Sequence, residues 1–567
     1  MTEALAESPK QPHAGRIHIS LWVISVIALV ASCAFQLWWF SRTCFNEIDF
    51  DGLSYVGIAR HLREGEFHAA INSFRSPLIS WLMAALSFGG DYLHIGKLIT
   101  IASFLACVIL LYALTQSLWH SHLAAALAAL LFTLGRGLAA AAVESITPDF
   151  LFAALGLVYC LLLLRALRKD RLRDWFLVGA AHGVAFLAKT FALPWLAVCT
   201  VAALALSAGS LVTRWKPIVA RFALAAAIPA VVAAGWAAVL HSKYGVYTAG
   251  NQFRLNMLQW ILRAYDEHRA YTMLTDNSEH YDEYVVFDAP RGSWMWTYHI
   301  GFRRALPRMI RAEMRNLPKA AKELTIVETP GGLLAFLFAL AALARRRREN
   351  PNQTTAWRFC LVAAIAGLSL LIAYSMLVID PRYLYPLMAL TPAVSAGFLA
   401  DDGHLNFLVW RRVCLLLVLA GFLFSLTYWA SPFRTLTRDF QLSCYDAGNH
   451  LKAHPGSRII SLGSGPFPEH GVGWEAGFKT AYFGGRRIVA TMDSLPDSTQ
   501  LTSLMSDIQK ASPDAILVWC KPDDARRAGL LQRLALLYPH RSTDRILDPA
   551  LGEVGVVVYP EAAAGGT

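Results

Sequence analysis

Charge is what this 567-residue chain has little of: 16% of its residues are Asp, Glu, Lys or Arg, against 56% hydrophobic. That scarcity, with a mean hydropathy of +0.41, excludes an ordinary soluble protein and leaves a membrane protein. C-x-x-C pairs and His-rich tracts are missing as well, so metal sites of those kinds are not expected. Of nine cysteines, Cys33, Cys107, Cys160, Cys199, Cys360 and Cys414 lie inside apolar runs, where a thiol packs as a small hydrophobe. Cys44, Cys444 and Cys520 lie outside them, and a Cys444–Cys520 disulfide is one option. No small-residue cleavage site follows the first apolar run, 19–40, although Lys10 and Arg16 precede it. The run is expected to remain as an anchor. No internal repeat is visible.

The net charge of +11 does not point to nucleic acid, because the basic residues gather in short loops between apolar runs. The pattern predicts an α-helical polytopic membrane protein with about eleven spans of membrane length. They are 19–40, 94–116, 122–141, 148–165, 175–188, 190–209, 218–240, 330–344, 357–378, 383–400 and 409–430. With residues 1–18 cytoplasmic, alternation puts four basic groups on the cytoplasmic side: Arg165 to Arg173, Arg214 to Arg221, Arg345 to Arg348, and Arg411 with Arg412. Residues 76–90 are apolar but short for a crossing. A full crossing there would turn every later basic loop outward, so a juxtamembrane helix opened by Pro77 is expected.

The transmembrane domain, 19–430, thus carries two outer loops, 41–93 and 241–329. Residues 431–567 read as a soluble extracytoplasmic α/β domain, with strands at 458–462, 487–491, 514–519 and 554–559 and helices near 499–510 and 523–537. Gly463-Ser464-Gly465 reads as a turn rather than a phosphate cradle, and the terminal EAAAGGT reads as frayed.

On this topology the unusual polar residues share one membrane face. Asp49, Asp51, Arg60, His61, Arg63 and Arg75 follow the first span. Arg136, Glu144 and Asp149 flank a later outward turn, Lys189 sits in another, and Asp380, Arg382, Tyr383 and Tyr385 lie in IDPRYLYP. Ionisable groups at one depth of an apolar bundle suggest an interfacial reaction chamber. Acids and bases at helix ends also serve simply to satisfy terminal groups, and Asp149 in particular suits the positive end of its helix. His61 and His68 read as amphipathic loop residues rather than metal ligands. The chemistry that suits such a face is transfer of a group from an anionic lipid carrier to a hydroxyl. Cations stabilise the phosphate as it leaves, a carboxylate takes the hydroxyl proton, and an apolar groove holds the carrier's tail.

The residues then resemble a known group. Asp51-Gly52-Leu53-Ser54-Tyr55-Val56-Gly57-Ile58-Ala59-Arg60 is similar to the Asp-Glu-x-x-Tyr-x-x-Ile-Ala-Arg pattern of the lipid A aminoarabinose transferases, with Gly52 in place of the Glu. Ser54 stands where those enzymes carry an arginine. Arg75-Ser76-Pro77-Leu78-Ile79-Ser80-Trp81-Leu82 resembles their Lys-Pro-Pro-Leu-x-x-Trp-Leu segment. Thr147-Pro148-Asp149, the Gly183–Lys189 stretch GVAFLAK, and Arg382-Tyr383-Leu384-Tyr385-Pro386 follow in the family's order. The chain therefore resembles the C-type (GT-C) membrane glycosyltransferases, near the aminoarabinose transferases and the protein O-mannosyltransferases, over most of 19–400.

The resemblance implies a polyprenyl-phosphate-linked sugar as donor, Asp51 as catalytic base, and Arg75 and Lys189 on the donor phosphate. Arg382 is expected to join them, with Tyr383 orienting the phosphate and Arg60 and Arg136 as further candidates. Asp49 is a candidate for the acid missing at position 52. Tyr55, Asp149 and Glu144 complete the expected site. The acceptor would be a lipid, glycan or protein hydroxyl at the outer face of a cell (inner) membrane. A divalent cation on Asp49 and Asp51 is conceivable, though two carboxylates make a poor hard-metal site. The rival reading is a transporter or flippase of a lipid-linked sugar. Transporters usually place their charges at mid-membrane between repeats, whereas these charges sit at one face.

Overall fold

In hydrocarbon a chain must satisfy its own backbone, so long apolar runs become helices. A computed structural model describes residues 13–44, 48–135, 137–207, 211–262, 275–276, 302–349, 354–376, 380–400, 409–417, 420, 433–454, 456, 458–463, 473–492, 495, 501–520, 523–548 and 552–560. The first part of the chain is helical: α1 (His13–Cys44), α2 (Phe50–Glu64), α3 (Phe67–Ala70), α4 (Leu78–Leu86), α5 (Tyr92–Trp119), α6 (His122–Thr133), α7 (Leu138–Glu144), α8 (Asp149–Lys169), α9 (Leu172–Ala188), α10 (Ala192–Ser207), α11 (Leu211–Tyr244) and α12 (Gln252–Asn256). Then come α13 (Phe302–Glu349), α14 (Thr354–Ser375), a 3-10 turn (Pro381–Leu384) and α15 (Tyr385–Ala400).

Six helices among the described residues are long and apolar enough to cross a membrane: Trp22–Arg42, Tyr92–Trp119, Asp149–Lys169, Trp215–Tyr244, Thr354–Ser375 and Arg382–Ala400. The bent pair α6 and α7 would make a seventh. Eleven spans were expected. The remaining segments are shorter, as in α9, α10 and the apolar stretch Gly332–Arg345, and most of 409–430 lies outside the described residues. The protein is a multi-pass membrane protein. Helix α4, with nine residues, rises only about 14 Å and is too short to cross, as expected for the juxtamembrane segment.

Small residues let the helices close. A Cβ on Gly179 would stand 2.7 Å from the Ala225 carbonyl oxygen, and one on Gly183 3.1 Å from Ile228, so these two glycines, one turn apart on α9, bring it against α11. One correction concerns the loop expected over 241–329. Helix α11 runs to Tyr244, and α13 is continuous from Phe302 through the expected span. A polar half and an apolar half belong to one helix, which runs on through Pro307, Pro318 and Pro330-Gly331-Gly332, residues that ordinarily break or kink a helix and so hide its continuity in the sequence.

The C-terminal part is an α/β unit: α16 (Phe433–Ala453), β2 (Arg458–Leu462), α17 (Gly473–Gly484), β3 (Arg487–Met492), α18 (Leu501–Ala511), β4 (Ala515–Trp519), α19 (Ala525–Leu537), β5 (Ser542–Asp548) and β6 (Gly552–Tyr559). Strand β1 (Thr275–Asp276), from the 241–329 region, joins the same sheet, in the order β1-β3-β2-β4-β6-β5. β3, β2 and β4 are parallel, and β1, β6 and β5 run antiparallel to their neighbours. Cys444 and Cys520 are free thiols, so the optional disulfide is not formed. The unit does not hang free of the bundle. Ala476, Phe478 and Ala481 of α17 share one buried cluster with Leu53 and Val56 of α2 and Ile79 and Met83 of α4. The α/β unit thus packs on the helix whose first turn carries Asp51.

Candidate active site

Asp51 lies in the first turn of α2, where the positive helix end favours a carboxylate. Its Oδ1 is 2.6 Å from Arg75 Nη2 and its Oδ2 is 2.8 Å from Arg382 Nη1. Each oxygen has its own guanidinium. Burial pushes the Asp51 carboxyl up, but Arg75 and then Arg382 outweigh it and bring its pKa down to about 2.

Arg75 is buried on a loop whose shape its neighbours dictate. The Asn72 side-chain oxygen accepts the N–H groups of Phe74 and Arg75, each at 2.8 Å, which forms an Asx turn. The loop is also tied sideways. The Ser73 carbonyl accepts from Asn251 N–H at 2.6 Å, and Ser76 Oγ accepts from Thr190 N–H at 3.2 Å. Thr190 adjoins Lys189, so one cation's loop is anchored to the next cation's turn. Tyr55, one helical turn after Asp51, lies under Arg75, its ring centroid 5.6 Å from the guanidinium carbon.

Arg382 is positioned by its own turn. Asp380 caps it, accepting Arg382 N–H at 3.1 Å and Nε–H at 2.9 Å. This leaves Nη1 to reach Asp51, with Asp49 Oδ2 at 3.9 Å. Asp49 accepts the Ile146 N–H at 2.9 Å. Burial raises its pKa, and the charge of Asp51 raises it further; Arg382, the Ile146 N–H and Lys97 offset this in part. Two carboxylates in one site are therefore pushed in opposite directions. That divergence separates proton-holding from charged groups in acid–base sites.

Lys189 ends α9 and pairs with Asp149 in the first turn of α8. Its ammonium lies 4.5 Å from the centre of the Tyr383 ring, a cation–π distance. Tyr374 stacks on Tyr383 at 4.6 Å. The structure thus brings Asp49, Asp51, Tyr55, Arg75, Asp149, Lys189, Arg382 and Tyr383 to one end of the bundle. Glu144 takes part through its backbone, where its carbonyl accepts from Lys97. Arg60 does not join this group: it pairs with Glu64 at 2.7 Å. Nine residues at about 100° each place it on the opposite side of α2 from Asp51. Arg136 lies outside the described residues.

Three contributors were not singled out from the sequence: Asn72, Tyr374 and Lys97. Only Lys97, a cation inside an apolar run, carried a sequence signal. For a cation, the Asp49 and Asp51 carboxylates face Arg382 and Arg75, which compete for the same oxygens. Among the described residues, His61, Glu64 and Glu66 have ligand atoms within 4.8 Å of one another, with His61 Nδ1 already 2.5 Å from Glu66 and Arg60 on Glu64.

A helical membrane bundle, capped by an α/β unit and carrying carboxylates and cations together at one end, defines a membrane protein with an interfacial polar site. The fold is that of the GT-C membrane glycosyltransferases. Residues 74–233 match the family described as dolichyl-phosphate-mannose-protein mannosyltransferase. That stretch includes Arg75, Asp149 and Lys189 but neither Asp51 nor Arg382. Two crystal structures of ArnT from Cupriavidus metallidurans are similar along the chain. The one bound to undecaprenyl phosphate has 14% identity and a TM-score of 0.55, and the apo form has 14% and 0.52. Each comparison covers 98% of this chain and 100% of the other. No curated protein matches the chain in sequence.

Proposed function

We propose that this protein transfers a sugar from a polyprenyl-phosphate carrier to an acceptor hydroxyl on the extracytoplasmic face of the membrane. The observation that carries this reading is the double arginine hold on Asp51, with Arg75 on one oxygen and Arg382 on the other. Guanidiniums that match a carboxylate also match a phosphate. When the donor phosphate arrives, it takes over Arg75 and Arg382, with Lys189 beside Tyr383 as the third cation. Asp51 is then released from both arginines and becomes a stronger base. It accepts the acceptor's hydroxyl proton as the acceptor oxygen bonds to the anomeric carbon. The bond from that carbon to the phosphate oxygen breaks, and its electron pair leaves with the phosphate. A single displacement inverts the sugar.

Two further facts support the reading. One of the two similar ArnT structures is bound to undecaprenyl phosphate, a lipid carrier of the kind proposed here as the leaving group. The basic residues Arg168 and Lys169 end α8 while Asp149 begins it, at the opposite end of a 21-residue helix, about 30 Å away. Basic loops favour the cytoplasmic side, so the acid cluster faces outward. The α/β unit packed on α2 and the 241–329 region would shape the acceptor side.

The test is purified protein in nanodiscs with a radiolabelled polyprenyl-monophosphate sugar. The expected result is sugar transfer or release that disappears in Asp51→Asn. Passage of the intact lipid-linked sugar across the bilayer without cleavage would replace the transferase with a flippase.

A further inference from the structure

Lys97 is fully buried, six residues into the apolar helix α5. A buried ammonium in a membrane helix is costly and has to be compensated. Its Nζ donates to the carbonyl oxygen of Val143 at 2.6 Å and to that of Glu144. These are the last carbonyls of α7, the negative end of that helix, where a cation is favoured. Directly after them in sequence, the chain enters the site itself. Ile146 gives its N–H to Asp49, and Asp149 begins α8 and pairs with Lys189. Gly96 adds a steric contact, since a Cβ there would stand 2.9 Å from Ile146 Cδ1, so α5 is pressed directly against this turn. Capping α7 would need no more than the two carbonyls. The turn it fixes, however, holds the N–H partner of Asp49 and leads straight into Asp149, the carboxylate paired with Lys189.

We propose that Lys97 is a positioning residue of this site, fixing the 143–149 turn so that the Ile146 N–H meets Asp49 and Asp149 meets Lys189. The proposal extends the transferase reading to a residue on a different helix, and its test separates the two. The groups that face Asp49 are Asp51, Arg382, the Ile146 N–H and Lys97. Without the Lys97 charge, Asp49 holds its proton to higher pH.

The experiment is an infrared titration of the full chain in nanodiscs. The Asp49 carboxyl band is assigned by its loss in Asp49→Asn and compared in wild type, Lys97→Met and Lys97→Arg. Kinetics with the polyprenyl-monophosphate sugar are run on the same samples. Lys97→Gln is carried alongside, should Lys97→Met not fold: its amide is uncharged and one bond shorter than the Lys97 ammonium, so it loosens the hold on the two carbonyls without stripping the site of an N–H donor. The expected result is a band that titrates at higher pH in Lys97→Met or Lys97→Gln and returns in Lys97→Arg. A fall in kcat of roughly 10²-fold should accompany it, as misplacement of a reacting group by about 1 Å costs. An Asp49 band that does not move in a folded Lys97→Gln overturns the proposal, whatever the kinetics show. A wild type that transfers no sugar overturns the transferase reading, while the band still decides the role of Lys97.

Discussion

Gly52 and Asp49 compete for one volume: a Cβ on residue 52 would stand 2.6 Å from Asp49 Oδ1 and 3.1 Å from Ile146 Cβ. The pattern this segment resembles carries its second carboxylate at position 52. Here a carboxylate reaches the space beside that position from residue 49, three places earlier. Gly52→Ala should therefore push Asp49 off the Ile146 N–H, with an overpacking cost of about 1–3 kcal/mol. Thermal melting in detergent checks this. The lost stability should largely return in Gly52→Ala/Asp49→Ala, where the clash is gone, a non-additivity that residues in contact show and distant ones do not.

Asp51→Asn should reduce transfer by about 10²–10⁴-fold, the usual contribution of a positioned base. It should also bind the carrier more tightly, because Arg75 and Arg382 no longer have a carboxylate to hold. Asp49→Asn, which removes a group with only a distant arginine at 3.9 Å, should lose less activity. Titration of each variant with polyprenyl phosphate reads the binding. Weaker carrier binding in Asp51→Asn would remove the two arginines from the phosphate site.

The pH profile carries the sign of this exchange. Against the effect of burial, Arg75 and Arg382 hold Asp51 down at about 2. Once a phosphate draws them off, the carboxyl rises toward its ordinary value of about 4 or, being half-buried, beyond it. The acidic limb of kcat/KM reports the free enzyme and that of kcat the donor complex. The kcat limb is therefore expected at the higher pH, by at least about one unit. Coincident limbs would mean that the arginines stay on Asp51 throughout.

Much of this was legible in the sequence, for physical reasons. Strands β2 and β4 announced themselves as short, continuous apolar runs because they lie inside the sheet, buried on both faces. Strand β5, STDRILD, carries no such signal: it lies at the sheet edge, where charged residues are tolerated and the apolar pattern fades. Helix α16 is faint in the sequence because its polar face dilutes the apolar stripe. Asp51, Arg75, Lys189 and Arg382 could be gathered from the sequence because topology alone sends them to one end of the bundle. Their pairing could not, since it depends on which face of α2 turns inward; Tyr55 shares that face and Arg60 does not. Asn72 acts only through a backbone turn, and nothing in its residue type distinguishes it from any loop asparagine.

Lys189 and Asp149 join α9 to α8, and two roles for that pair can be told apart. Lys189→Met alone strands Asp149, which is 4% exposed, as an unpaired buried carboxylate at a cost of about 3–5 kcal/mol. Loss of activity in that variant proves little. Lys189→Met/Asp149→Leu removes both charges and should recover most of the stability, because an apolar pair can replace a buried ion pair. Were Lys189 only a strut between helices, transfer would return along with the melting temperature. A phosphate-binding role requires that it not return, because the ammonium 4.5 Å from the Tyr383 ring is the third cation on the leaving phosphate. The double variant should melt near the wild type yet turn over about 10²-fold more slowly, the scale of one lost electrostatic contact to developing charge. A wild-type kcat in that variant would take Lys189 out of the phosphate site and leave Arg75 and Arg382 to carry the charge alone.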